Sequence, residues 1–193
     1  MRVDLYKILQ GVKTYPSWYS NNSYDLITIP EGNKLFVTYN SKGKRGKRYF
    51  PRSLSITPDL LWTLGFIEGE GSNSTNKSAY RRFMITNSNP TKMKFVLDVL
   101  EKHQILARAS LPRNSIRVRY GLQHDKGKLA KFWREKLKVS LDKIYLSTKA
   151  DPLKTSEYGV CDIYISDVIL RRVTDRIREY VFAQMQSNIK EGR

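Results

Sequence analysis

The residues of this chain best placed to do chemistry lie in Leu60–Ser72, LLWTLGFIEGEGS. Gly65 and Gly69 stand four apart, which puts them on one face if the segment is helical. A glycine inside a helix costs about 1 kcal/mol relative to alanine, so some gain must offset it. Close approach of a second helix backbone is the natural gain, and it predicts an interface made of Leu61, Leu64, Gly65, Glu68 and Gly69. Glu68 and Glu70 exclude a lipid setting for that helix pair. Both carboxylates fall at the helix C-terminus, where the macrodipole is negative and acids are disfavoured. Two such helices side by side would bring two Glu70 carboxylates together, a repulsion that divalent cations between them relieve. Hard oxygen ligands beside phosphate suit magnesium, which keeps positions for water and phosphate oxygens. Water activated at such a site and attacking phosphorus cleaves a phosphodiester. On spacing alone a plainer reading stays open, with Glu68 and Glu70 as polar residues of a Gly-rich turn.

Charge says what such a site would meet. The 193 residues carry 35 Lys and Arg against 18 Asp and Glu, a net +17, and a surplus of that size predicts a polyanionic partner. Residues 1–57 hold 10 basic and 3 acidic side chains (+7), 58–139 hold 16 and 7 (+9), and 140–193 hold 9 and 8 (+1). A membrane surface would call for a polybasic amphipathic helix or a lipidation signal, and neither is found. No run approaches the roughly 20 apolar residues of a membrane span, and the N-terminus lacks the apolar stretch of a signal peptide. The single cysteine, Cys161, excludes an internal disulfide and a cysteine zinc cluster. His103 and His124 have no ligand types at metal spacing. The expectation is an intracellular protein, cytoplasmic or nucleoid-associated, with an organelle not excluded.

The elements that must position these residues follow from periodicity. Residues 1–25 mix aromatics with Ser, Asn and Pro and read as irregular chain or short strands. YDLITI and KLFVTY, split by Pro30–Asn33, read as a hairpin. The acid-free stretch NSKGKRGKRYFPR then reads as a basic arm for phosphates, or else as a solvated linker. Thr57 can cap a helix with Pro58 in its first turn and Leu60, Leu61, Leu64 and Ile67 at helical spacing. SNSTNKSAYRRFMIT reads as two strands, Asn89–Pro90 opens a second helix, ARASLPRNSIRVRY reads as a second hairpin, and DKGKLAKFWREKLKV as a third helix. The order from 58 to 139 is thus α, β-β, α, β-β, α, an α+β layout with an antiparallel sheet. Arg82, Met84, Arg108, Arg117 and Arg119 would project from the face opposite the helices, where a two-stranded ribbon fits a DNA major groove. The same arginines could instead solvate an open sheet face. Beyond residue 140, DKIYLST and VCDIYIS read as two strands, followed by a core helix from Ser166 and Asp167 with Ile169, Val173, Ile177 and Val181 inward. Its Arg171, Arg172, Arg176 and Arg178 alternate with acids and read as a solvated face.

The helix TLGFIEGEGS, with its glycines, acids and downstream strand order, resembles the signature helix and core of the LAGLIDADG homing endonucleases over about residues 57–143. The resemblance implies three segments: a basic β-rich extension over 1–56, the core over 57–143, and a strand-and-helix extension over 144–193. It places Glu70 on the family's metal-binding acid, with the Gly69 carbonyl reaching the same magnesium or other divalent ion. Glu68 falls on the first, more structural acid of the motif. Asn87, at the end of FMITN, falls where a polar side chain orders water, and Lys143 is the candidate catalytic lysine, with Lys138 and Lys149 as competitors. DNA contacts are expected from Lys77, Arg82, Met84, Arg108, Arg113, Arg117 and Arg119, and from Lys44, Arg45, Lys47 and Arg48 of the arm. Both motif acids are Glu where the family name spells Asp, and Thr63 and Leu64 replace its Leu and Ala. Only one motif occurs, which implies half an active site and a homodimer that cuts both strands of a near-palindromic duplex across the minor groove. The alternative is a non-cleaving DNA-binding regulator or an intron-RNA splicing cofactor on the same scaffold.

Overall fold

The computed structural model describes residues 1–14, 22–40, 46–70, 82–121, 123–148 and 157–190. The chain is mixed α and β and divides into two compact units. The first comprises Met1–Gly65, Ser74–Arg82 and Asp167–Arg193; the second comprises Phe66–Asn73 and Phe83–Ser166.

In the first unit, β1 (Arg2–Asp4) pairs antiparallel with β6 (Ser53–Ser55). Asp4 caps a one-turn helix, α1 (Leu5–Ile8), by accepting from the Tyr6 and Lys7 amides, so part of the apparently irregular N-terminus is helical. A four-stranded antiparallel sheet runs β2 (Lys13–Thr14), β3 (Tyr24–Glu31), β4 (Lys34–Tyr39) and β5 (Lys47–Pro51). The expected hairpin is β3–β4, and its turn is tighter than Pro30–Asn33: Gly32, at φ 62°, and Asn33 alone reverse the chain. Alternation along β3, β4 and β5 buries Leu26, Leu35, Val37, Tyr39 and Phe50 on one side of the sheet.

The long C-terminal helix α5 (Val168–Lys190) starts where expected, with Asp167 Oδ1 accepting from the Leu170 amide at 2.8 Å. Ile169, Val173, Ile177 and Val181 are all buried. Its arginines are not a solvated face. Arg171 is itself buried and pairs with Asp175 at 2.8 Å, Arg172 donates to the Lys13 carbonyl at 3.0 Å, and Arg176 donates to the Ile8 carbonyl at 2.9 Å. Burial pushes the Asp175 carboxyl up despite the charges of Arg171, Arg178 and Arg172 beside it.

In the second unit, four strands form one sheet in the order β7 (Phe83–Asn87), β10 (Val160–Ile165), β8 (Ile116–Tyr120), β9 (Ile144–Thr148). Against one face lie α3 (Pro90–Lys102) and α4 (Lys126–Leu137). The core joins Phe83, Ile85, Ile116, Val118, Cys161 and Ile163 to Met93, Leu97, Leu129 and Trp133. Burial pushes the Cys161 thiol well up, as befits an inert core group.

Three expectations are corrected here. The second hairpin is absent, because Arg108–Ser110 form a 3-10 turn and β8 has no partner in residues 107–111. The sheet is not wholly antiparallel: β8 and β9 run parallel, as they can because α4 supplies the crossover between them. The two C-terminal strands are not an appended pair. β10 lies between β7 and β8, and β9 lies on the far side of β8, so Ile144–Thr148 and Val160–Ile165 complete the sheet. Of the first expected hairpin, the second strand is observed as β7, and the stretch expected to form the first strand lies outside the described residues.

Candidate functional site

Helix α2 (Pro58–Glu70) begins as its sequence dictates, with Thr57 Oγ1 accepting from the Leu60 amide at 3.3 Å. The boundary between the two units falls inside it, after Gly65. Leu60, Thr63, Leu64 and Ile67 are buried, which assigns Leu64 to the inward side rather than to an exposed interface. Leu60, Leu64 and Ile67 follow the i, i+4, i+7 rhythm of a core stripe. The opposite face holds Leu61, Trp62, Gly65 and Gly69, of which Trp62 and Gly69 are exposed and Leu61 and Gly65 half-buried. A Cβ added at Gly65 or at Gly69 would meet nothing within 4 Å beyond the helix's own backbone. Among the described residues, no neighbour therefore requires glycine at either position. Glu68 is half-buried, and Glu70, on the last helical residue, is exposed.

Asn87 and Lys143 occupy local roles. Asn87 Oδ1 accepts from the Asn89 amide at 2.8 Å, shaping the turn into α3. Lys143 sits in a 3-10 turn with its ammonium 3.5 Å from Asp142. No hydrogen bond or ion pair joins Glu70, Asn87 and Lys143 among the described residues. Lys138 takes the left-handed conformation that ends α4, and Lys149 lies outside the described residues. No group of three His, Cys, Asp or Glu side chains able to hold a metal ion occurs among the described residues.

The open face of the second unit's sheet alternates as expected: Ile116, Val118 and Tyr120 are buried, while Arg117 is exposed and Arg119 half-buried on the other side. Met84 also lies on that face, and both it and Arg82 are half-buried. Arg113 is exposed in the turn before β8. The register sets Thr86, Asp162, Arg117 and Tyr145 side by side across all four strands. Asp162, only 1% exposed, accepts from Arg117 Nε, Arg119 Nε and Arg119 Nη2, each at 2.9 Å, and from the Thr86 hydroxyl at 2.9 Å. One carboxylate thus fixes two guanidinium groups and leaves the trio at +1.

Asp162 is the residue that sequence reasoning missed. Its signal was the alternation of VCDIYIS, which puts Cys161, Ile163 and Ile165 inward and an acid outward. Without knowing that this strand borders β8, nothing tied that acid to Arg117 and Arg119.

Arg108 departs from its expected place on the basic face. Its Nε donates to the Leu137 carbonyl at 2.7 Å, its amide donates to Glu101 at 2.9 Å, and its two terminal nitrogens pair with Asp98 and Glu101. It fastens α3 to the C-terminal end of α4, where orphan carbonyls need a cationic donor. Burial pushes the Asp98 carboxyl up, but hydrogen bonds and charge from Lys94 and Arg108 outweigh it and hold the group below the ordinary carboxylate value. A group so lowered contributes stability above its unfolded value of about 4 and loses it as pH falls through the folded value. Arg108→Met is expected to lower stability in urea by about 2 kcal/mol while leaving nucleic-acid affinity unchanged. Asp98→Asn is expected to flatten the acid limb of stability below about pH 4.

In the first unit, Lys47 is exposed, and Arg48 is tied to Asp167 and largely covered, so it braces the start of α5. Lys44, Arg45 and Lys77 lie outside the described residues. Comparison with protein-family models, with curated proteins and with solved structures returned no match to this chain.

Proposed function

We propose that this chain is one half of a homodimeric, metal-dependent, site-specific DNA endonuclease of the LAGLIDADG type. The observation that carries the reading is the glycine face of α2, where an added Cβ would meet no described residue within 4 Å, on a helix that carries an exposed Glu70. Two buried-side leucines anchor the helix, while Gly65 and Gly69 leave its other side open to a second backbone. A two-fold axis along that side would bring two copies of Glu70 to one end of the helix pair. The acid's position at a negative helix terminus, unfavourable in an isolated chain, has a reason if a cation is bound there.

The residues present fit such an ion. One protomer offers the Glu70 carboxylate and the backbone carbonyls beside it, Gly69 among them, and these are hard oxygen donors. A magnesium ion would retain open positions for water and phosphate, and when bound it supplies charge neutralisation at the scissile phosphate and a more acidic water. The chain's own residues would bind and orient. Asn87 keeps its amide NH2 as a donor, Lys143 offers an ammonium, and Arg113, Arg117, Arg119 and Lys47 supply cationic donors to the duplex.

The test is to incubate purified protein with magnesium and a plasmid library carrying randomised inserts, then sequence the ends released. Double-strand breaks at a restricted set of sequences, absent with EDTA, are expected. Specific retention of duplex without breaks would instead support the non-cleaving regulator, and retention of structured RNA alone the splicing cofactor.

A further inference from the structure

Resting on that reading for duplex binding but not on cleavage, we propose that Asp162 is a positioning residue that presents Arg117 and Arg119 as preset forks for guanine in the major groove. The geometry is specific about which edge of each guanidinium is used. Arg117 gives Asp162 its Nε and Nη2, at 2.9 and 2.8 Å, and Arg119 gives the same two nitrogens, both at 2.9 Å. Each arginine is therefore held along its side edge, and among the described residues no bond engages the end-on edge formed by Nη1 and the outer hydrogen of Nη2. That pair of parallel N–H donors matches guanine O6 and N7.

Long arginine side chains otherwise lose rotamer freedom on binding, a cost that a fixed fork avoids. Asp162 can act as a fixed post because it is itself immobilised. It is 1% exposed, it lies on the interior strand β10, and the Thr86 hydroxyl directly across on β7 holds one carboxylate oxygen. Arg117, with 46% of its side chain exposed against 23% for Arg119, is the primary reader. Tyr145, beside Arg117 on β9 and 51% exposed, gives the row an apolar flank able to meet a thymine methyl.

The carboxylate also sets a limit on charge. Two arginines alone would hold any phosphate by Coulomb attraction, whereas two arginines sharing a buried acid carry one net charge and depend more on shape. The expected signature is thus in sequence preference rather than in bulk affinity.

The experiment measures preference by binding wild-type protein and variants to a randomised duplex library in calcium, without cleavage, and sequencing the retained fraction. Wild type should show at least one strongly preferred guanine. Asp162→Asn, which turns amide donors toward guanidinium donors, and Arg117→Lys, which keeps charge and the pairing to Asp162 but not the fork, should each reduce preference at that same guanine about tenfold or more. Other positions should change little. A purely structural role for Asp162 would weaken binding to every sequence alike and leave the preference profile intact, and that result overturns the proposal while the duplex-binding reading stands. If wild type selects no sequence at all, both fall together. Should Asp162→Asn fail to fold, Thr86→Val, which removes only the hydroxyl donor, decides with Arg117→Lys. Softened preference at the same guanine supports the assignment, and an unchanged profile in both contradicts it.

Discussion

Replacing Glu70 with glutamine is expected to reduce magnesium-dependent DNA cleavage by about a thousandfold or more, while binding to the same duplex changes no more than a few-fold. Glutamine preserves the shape of the side chain and its hydrogen-bonding reach but removes the charge that attracts a divalent cation. Because Glu70 is exposed and has no side-chain partner among the described residues, the substitution breaks no hydrogen bond or ion pair among them. It also removes an anion from a negative helix terminus, so the folded chain should be slightly stabilised. A more stable, DNA-binding, inactive variant is a combination that a merely structural glutamate cannot produce. Cleavage rates under single-turnover conditions, with duplex binding titrations and thermal melts on the same preparation, check all three parts.

Substituting Gly65 by alanine should move two properties in opposite directions. Among the described residues the added methyl has open space, and the helical backbone prefers it, so the isolated protomer should gain about 1 kcal/mol. For a protein of this size that corresponds to a rise in melting temperature of about 2–4 °C, read at concentrations where the chain is monomeric. In a close-packed helix pair the same methyl is duplicated by symmetry and forces the backbones apart, forfeiting dispersion contacts along the whole seam. Self-association should weaken about tenfold for Gly65→Ala and about a hundredfold or more for Gly65→Leu. Sedimentation over a concentration series separates the two effects. Alanine that stabilises the protomer and leaves association unchanged would remove the glycine face from the interface.

What could be read from residue order alone was mainly local. The α2 start at Thr57, the β3–β4 hairpin, the Asn89–Pro90 and Ser166–Asp167 helix starts and the inward faces of β8 and α5 all depend on neighbours within a few residues. What could not be read was long-range pairing. The placement of β10 between β7 and β8 joins residues more than 40 positions apart, and no turn chemistry marks it. The error over Arg108 has the same origin: residues 107–120 carry a Pro-Arg-Asn turn signal that suits a hairpin, but two acids one turn apart on α3 collect the arginine into a 3-10 turn. The arginines of α5 show the limit of charge patterning. Interleaved acids suggested a solvated face, whereas Arg172 and Arg176 satisfy backbone carbonyls of β2 and α1 that helical spacing cannot reveal. For the candidate site, the carboxylate and the glycines were legible because they break helix preferences locally. The post that fixes the arginines was not, because it lies on a strand whose neighbours are set by topology.

Cross-linking through a single introduced thiol tests the face-to-face packing of two α2 helices most directly. Cys161, the only native cysteine, is fully buried and stays silent under mild oxidation. At a two-fold seam, identical residues near the axis face each other within the roughly 4.4–6.8 Å between Cα atoms that a disulfide spans. Gly65→Cys is therefore expected to yield a covalent dimer rapidly on oxidation, whereas Asp59→Cys, exposed at the far end of the same helix, should yield little. A Gly65→Cys chain that stays monomeric under oxidation, with or without duplex DNA, or that cross-links no faster than the Asp59→Cys control, would contradict the paired-helix account.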